Sequence, residues 1–235
     1  MRTLLLIAAA GLLGTLSVAD DQSRVATPLD KYVTVDLTTD LDQLSQQQRK
    51  MIPLLIEAAK IMDRCFWYQA YGDGERLLRS IEDVTERRFA EINYGPWDRL
   101  DGNRPFIKGD GPNPPGANFY PADMTIEEFE TAYLPGKSGL YSLVRRDENG
   151  ALTLVPYHVA FADELKAAAD LLRQAAGLAE SQDFANYLKL RAAALISDDF
   201  QVSDLYWMDV KDNEIDVVIG HIETYEDQLF GYRSA

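Results

Sequence analysis

A carboxylate and a phenol stand two residues apart near the end of the chain, at Glu223 and Tyr225. The apolar run that precedes them, residues 215–219, predicts a strand, and a strand directs residues i and i+2 to the same face. Such a pair can hold an ammonium group on the carboxylate and donate a phenolic hydrogen bond to a developing oxyanion. The alternative is that two polar residues face solvent at the end of a strand.

Further acidic and aromatic residues lie close to this pair in the sequence: Asp204, Tyr206, Trp207, Asp209 and Asp227. Paired carboxylates catalyse acid–base chemistry when their environments separate their pKa values. The chain has 38 acidic residues, however, so a grouping by chance is the simpler interpretation.

Metal ligands and nucleophiles are scarce. The chain contains two histidines, His158 and His221, and one cysteine, Cys65. A catalytic zinc commonly takes two or three histidines, and a structural zinc takes four Cys or His ligands, so we predict no metal site within this chain. The apolar helical surroundings of Cys65 predict a buried core thiol, and His158 is predicted to lie at the start of a helix. The motifs GxSxG, GxxxxGK and GxGxxG are absent.

The first residues are typical of a secretory signal. Arg2 precedes an apolar run, residues 4–13, and small residues follow at Ser17 and Ala19. The run is shorter than the roughly 20 residues of a membrane span. We therefore predict a signal peptide over 1–19, export to a periplasmic or extracellular site, and no membrane span. A net charge of −15 disfavours binding to nucleic acid.

The remaining residues must position the Glu–Tyr pair. Residues 20–44 are polar and are predicted to form a loose N-terminal segment, followed by one folded region over 45–235. Apolar spacing predicts helices, and Asn-Gly predicts a β-hairpin. The resulting fold class is α+β, mostly helical with a few strands. The expected elements are helices from Ser45, from Glu75 to about Ile92, over 160–178 and over 182–196, the hairpin near 140–155, and a strand near 215–225.

Three segments resemble the dipeptidyl peptidase III family of zinc-dependent exopeptidases, especially its bacterial members. The most specific is the run Gly220-His221-Ile222-Glu223-Thr224-Tyr225-Glu226-Asp227, which is similar to the family's Gly-x-Ile-Glu-Thr-Tyr-x-Asp segment. Residues 95–99 and 116–124 are similar to bacterial members as well. The run Gln228-Leu229-Phe230-Gly231-Tyr232 departs from the Pro-Phe-Gly-Ser-Arg of better-known members.

The resemblance implies a two-lobed metallopeptidase in which Glu223 and Thr224 bind substrate and Tyr225 is catalytic. The Glu would hold the free N-terminus of a peptide, and the Tyr would hydrogen-bond the scissile carbonyl. The family's zinc motif, HExxGH, follows the Glu-Thr-Tyr segment, whereas this chain ends at Ala235. We therefore expect zinc only in the complete protein.

On this interpretation the chain is the N-terminal, substrate-binding part of an exported zinc metallopeptidase that releases dipeptides from peptide N-termini, and it is inactive alone. One alternative is a stand-alone peptide-binding or interaction module without catalysis. Another is an exported helical scaffold with only local resemblance.

Overall fold

The computed structural model describes residues 28–235 of the chain. The signal peptide predicted over 1–19 lies outside the described residues. Within 28–235, helices dominate and the strands form two antiparallel pairs, which confirms the predicted α+β class. The elements are α1 (Gln46–Ala70), α2 (Gly74–Ser80), α3 (Val84–Asn93), β1 (Trp97–Asp98), β2 (Arg104–Pro105), α4 (Ile126–Thr131), β3 (Ser142–Arg146), β4 (Leu152–Pro156), α5 (Tyr157–Ala160), α6 (Ala162–Ala176), α7 (Gln182–Leu195) and α8 (Gln201–Asp209).

Helix α1 begins where its sequence predicts. The Ser45 hydroxyl accepts a bond from the Gln48 amide at 3.1 Å, and the Gln48 side chain accepts one from the Ser45 amide at 2.8 Å. This reciprocal capping box satisfies two amides that the first turn leaves free. Cys65 is buried on the apolar face of α1, as predicted, and burial raises the pKa of its thiol to about 12.

The hydrophobic core lies where α6 packs against both α1 and α7. Leu165 and Leu172 of α6 and Leu188 of α7 are fully buried there. Each buried leucine contributes about 1.5–3 kcal/mol relative to an exposed one. Ile219 and Tyr232, from the C-terminal segment, belong to the same core, so that segment is held on the helical layer.

The helix predicted from Glu75 to about Ile92 is two helices, which corrects the prediction. Helix α2 ends at Ser80, and the Asp83 carboxylate caps α3 by accepting the Glu86 amide at 2.8 Å. Ile81, between the two helices, is buried. The apolar periodicity therefore continues across the break and conceals it.

The hairpin predicted near 140–155 is confirmed by the antiparallel pairing of β3 with β4. The Asp147 carboxylate accepts the amides of Asn149 and Ala151 at 2.8 and 2.9 Å, and Gly150 takes a positive φ of 82°. These bonds close the turn that the Asn-Gly pair predicts.

The strand predicted near 215–225 is wrong. This segment forms only one isolated antiparallel bridge, between Glu223 and Ser234. The Val217 carbonyl accepts a bond from the Tyr187 hydroxyl of α7 at 2.7 Å, so a helix side chain takes the place of a neighbouring strand. Ile219 is buried against the helical core and not against a sheet.

The first described residues contact helix α3 and strand β1. Lys31 forms an ion pair with Asp98, and the Tyr32 ring lies edge-on to Phe89 with centroids 5.9 Å apart. The division into a loose segment over 20–44 and a folded region over 45–235 stays a prediction. None of the helices in 28–235 is long and apolar enough to cross a bilayer.

Candidate functional site

The C-terminal segment is anchored on helix α1 by one buried amide side chain, that of Gln69. Its Oε1 accepts the Ala235 amide at 2.8 Å, and its Nε2 donates to the Arg233 carbonyl at 3.4 Å and lies 3.3 Å from His221 Nδ1. Sequence reasoning missed Gln69. The sequence did contain one indication of its role, because Gln69 is a polar residue in the otherwise apolar stripe that α1 buries.

Glu223 is fixed through its backbone. Its amide donates to the Ser234 carbonyl at 3.1 Å, and its carbonyl accepts the Ser234 amide at 3.0 Å. Both main-chain groups are therefore satisfied locally, and the half-buried side chain stays available to line a groove.

Asp227 holds the turn that follows. Its carboxylate accepts the Tyr120 hydroxyl at 2.5 Å and the amides of Leu229 and Tyr232 at 2.9 and 2.8 Å. Burial, followed by the bond to Asp227, raises the pKa of Tyr120 well above its usual range. Asp227 thus organises the fold, since its oxygens are already engaged inside the protein.

Glu223 and Tyr225 line one groove of about 330 Å³, although the strand on which their predicted shared face depended is absent. Helix α1 supplies Phe66 to the same groove, and the rings of Phe66 and Tyr225 lie 6.5 Å apart. Tyr225 is 58% exposed, so a ligand can reach its hydroxyl. Thr224 lies between the pair in sequence but is exposed and does not line the groove.

The Tyr225 phenol keeps its proton at neutral pH. Partial burial raises its pKa, and the negative charges of Glu223 and Glu226 raise it further, while Arg99 opposes them. Since an unperturbed tyrosine has a pKa of about 10, the hydroxyl is a hydrogen-bond donor throughout the physiological range.

Several of the acidic and aromatic residues near the pair in sequence have partners of their own. Asp204 forms an ion pair with the buried Arg191, and Asp216 accepts the Trp207 indole N–H at 2.9 Å. The Tyr206 hydroxyl bonds to Asp183 at 3.1 Å. The structure therefore does not assemble these residues into one acid–base site.

Neither histidine is placed to bind zinc. His221 is fully buried, with its ring centroid 4.3 Å from that of Tyr157, and burial lowers its pKa to about 3. His158 lies in the first turn of α5, as predicted, with its Nδ1 2.7 Å from the Asp198 carboxylate. In 28–235, no three His, Cys, Asp or Glu side chains are grouped to hold a metal ion. The described residues thus do not provide the ligands for the zinc that the resemblance implies.

A larger groove of about 550 Å³ lies beside α1 and α2 and is bordered by α5 and α6. Trp67, Tyr68 and Glu164 contribute to its walls. None of the residues predicted to act on substrate lines this groove. The smaller groove is therefore the better candidate, because it alone combines the carboxylate of Glu223 with the phenol of Tyr225.

Two solved structures are similar to the described fold over most of its length. Dipeptidyl peptidase III from Caldithrix abyssi is 38% identical with a TM-score of 0.82, and the match covers 88% of this chain and 42% of that one. Dipeptidyl peptidase III from Corallococcus sp. strain EGB is 35% identical with a TM-score of 0.80, covering 88% of this chain and 41% of that one. The chain has the fold of part of a dipeptidyl peptidase III. The resemblance seen in the sequence is thereby confirmed.

A curated relative carries a different name. Nudix hydrolase 3 of Arabidopsis thaliana is 30% identical over 269 residues, a match that covers 88% of this chain and 35% of the relative. No protein-family model matches the chain. The chain spans less than half the length of the curated relative and of the two dipeptidyl peptidase III structures.

Proposed function

We propose that this chain supplies the substrate-binding part of an exported zinc metallopeptidase of the dipeptidyl peptidase III type, which releases dipeptides from peptide N-termini. One observation carries the proposal: Glu223 and Tyr225 line a single groove in a fold that matches dipeptidyl peptidase III at 38% identity. The name of the matched structures supports peptidase chemistry, and the groove residues supply the means to orient a peptide.

Glu223 accepts the ammonium group of the peptide N-terminus. Its backbone is held by Ser234, so the carboxylate is presented from a fixed point on the groove wall. A hydrogen bond between ionised partners contributes about 1.5–3 kcal/mol when it is shielded from water. This contact fixes the distance from the peptide's first residue to the bond that is cut.

Tyr225 donates a hydrogen bond to the oxygen of the scissile carbonyl. The donor is present because the raised pKa keeps the phenol protonated. The bond strengthens as negative charge develops on that oxygen, so it stabilises the transition state more than the bound substrate. Thr224 is exposed and lies outside the groove lining, so its role in substrate binding rests on the resemblance alone.

Zinc, when bound in the complete protein, would polarise the carbonyl and activate water. This chain contributes binding and orientation only, and we expect it to be inactive alone. Incubating the purified chain with a tetrapeptide and added zinc should release no dipeptide. Release that survives purification and requires Tyr225 would contradict this expectation.

Calorimetry with tetra-alanine tests the binding role on the full chain. Glu223→Gln should weaken binding about tenfold, or about 1.4 kcal/mol, because the groove is partly open to water. Tyr225→Phe should weaken it about threefold. The matched controls are Glu148→Gln and Tyr133→Phe. Both side chains are exposed, and both residues are distant in sequence from the groove residues.

Acetylation of the peptide N-terminus supplies the second arm of this test. The acetylated peptide lacks the ammonium group. The unmodified chain should therefore bind it as weakly as the Glu223→Gln variant binds the free peptide. Equal affinities of free and acetylated peptides for the unmodified chain would refute the role of Glu223.

Export is tested separately by expressing the full chain in a bacterium and sequencing the N-terminus of the secreted or periplasmic product. The proposal expects cleavage after Ala19, so that the mature chain begins at Asp20. A cytoplasmic product that retains Arg2 would refute it.

A further inference from the structure

An ion pair with two parallel hydrogen bonds joins Arg99 to Glu226, the residue that follows Tyr225. The two nitrogens of the Arg99 fork donate to the two Glu226 oxygens at 2.7 and 2.9 Å. The Glu226 side chain is only 4% exposed and that of Arg99 is 30% exposed. A fork of this kind fixes direction as well as distance, which a single charge contact does not.

Arg99 is itself held by the end of helix α3. Its Nε donates to the Asn93 carbonyl at 2.7 Å, and its backbone amide donates to the Asn93 side chain at 2.9 Å. Asn93 is buried and donates in turn to the Phe89 carbonyl at 2.8 Å. The guanidinium group therefore has a defined orientation before it meets Glu226.

Tyr225 has few contacts of its own, because more than half of its surface is exposed. It lies between two fixed points: the Glu223 backbone is paired with Ser234, and the Glu226 side chain is paired with Arg99. Arg99 also lies over the Phe66 ring, 5.7 Å from its centroid, and Phe66 packs beside Tyr225. The position of the phenol in the groove thus depends on Arg99 from two sides.

We propose that Arg99 is a positioning residue for Tyr225, acting through its two-bond ion pair with Glu226. The inference rests on the proposed function, since it concerns the residue that meets the scissile carbonyl. Arg99 does not touch the substrate in this scheme. It holds residue 226, and with it the backbone that carries the phenol.

The two members of the ion pair have opposite effects on the Tyr225 pKa, which separates this role from a general loss of structure. Substitution of either Arg99 or Glu226 removes the same ion pair. Loss of the Arg99 charge, however, raises the Tyr225 pKa, whereas loss of the Glu226 charge lowers it. The groups that face or flank the phenol are Glu223 and Glu226 from its own segment, Arg99 and Tyr94 from the region after α3, and Asp63 from α1.

The experiment uses the full chain labelled with 3-fluorotyrosine, whose fluorine lowers the phenol pKa and reports the titration of each ring by ¹⁹F NMR. Tyr225→Phe assigns the resonance. Arg99→Gln should raise the Tyr225 pKa and Glu226→Gln should lower it, because each variant removes one charge of opposite sign close to the phenol. Arg104→Gln is the control, because Arg104 is an exposed arginine at the start of β2 whose ion pair is with Asp101.

Tetra-alanine affinity is measured on the same proteins. Arg99→Gln and Glu226→Gln should each weaken binding about threefold, as Tyr225→Phe does, and Arg99→Lys should leave the Tyr225 pKa near that of the unmodified chain while still weakening binding. Shifts of the same sign in the two glutamine variants, or unchanged peptide affinity in both, would overturn the proposal. Failure of the unmodified chain to bind peptide would refute the proposed function instead, and shifts of the same sign in the two glutamine variants would still overturn the positioning role.

Discussion

Asp227→Ala should destabilise the protein by about 3–5 kcal/mol, because the carboxylate is buried and its loss leaves one side-chain and three backbone donors without their acceptor. The bonds come from the Tyr120 hydroxyl at 2.5 Å and from the amides of Leu229, Phe230 and Tyr232 at 2.9, 3.3 and 2.8 Å. A hydrogen bond to a charged group contributes about 1.5–3 kcal/mol. Since the four share one carboxylate, their energies do not add, and the sum is reduced to the range given.

Thermal unfolding followed by circular dichroism, with urea unfolding followed by tryptophan fluorescence, measures this loss. For a chain of this size each kcal/mol lowers the Tm by about 2–4 °C, so Asp227→Ala should unfold about 6–20 °C below the unmodified protein. Asp227→Asn keeps one acceptor oxygen, so its Tm should lie between those of the unmodified protein and Asp227→Ala. Asp170→Ala removes an exposed partner of Arg173 and should change stability by less than about 1 kcal/mol.

A loss below about 1 kcal/mol for Asp227→Ala would show that the carboxylate does not hold this turn. It would mean that the turn after Tyr225 is held by packing of Tyr232 and its neighbours and not by the carboxylate.

Two further predictions concern buried titratable groups. Burial lowers the pKa of His221 to about 3. Between pH 6.5 and 3 the unfolded chain therefore binds a proton at this histidine that the folded chain does not bind, so the free energy of unfolding falls as the pH falls. From pH 6.5 to 5 this group should lower the free energy of unfolding by about 2 kcal/mol. The urea midpoint of His221→Phe should therefore fall less than that of the unmodified protein between pH 7 and 5, and equal falls would contradict the assignment. Cys65, with its buried thiol and a pKa of about 12, should resist alkylation in the native protein and react once urea unfolds it; fast native labelling would show that α1 opens locally.

Local signals made most of the fold predictable from the sequence. The capping box at Ser45 and the apolar stripe after it define α1, and the Asn-Gly turn defines the hairpin. The break between α2 and α3 was hidden because the buried Ile81 stays in phase with both helices. Helix α8 was missed because it buries only Ser203 and so has no apolar periodicity.

The strand predicted near 215–225 is absent, and a local sequence pattern could not have shown this. Apolar alternation predicts burial on one face, but it does not say whether a sheet or a helix provides the other surface. Here Tyr187 of α7 takes the Val217 carbonyl, and a helical core buries Ile219.

The candidate site was predictable in part. Glu223 and Tyr225 were predicted from the resemblance and from a spacing argument that assumed a strand; the strand is absent, but both residues line one groove. Gln69 and Arg99 were missed because their partners lie 152 and 127 residues away in sequence. Contacts over such distances are set by the tertiary fold, and a single sequence does not reveal them.

A crystal structure of the full chain with tetra-alanine would show whether this groove receives the N-terminus of a peptide. We expect the peptide ammonium within hydrogen-bond distance of the Glu223 carboxylate and a backbone carbonyl oxygen accepting a hydrogen bond from the Tyr225 hydroxyl. A peptide bound instead in the larger groove beside Trp67 and Glu164, with the Glu223 groove empty, would contradict it.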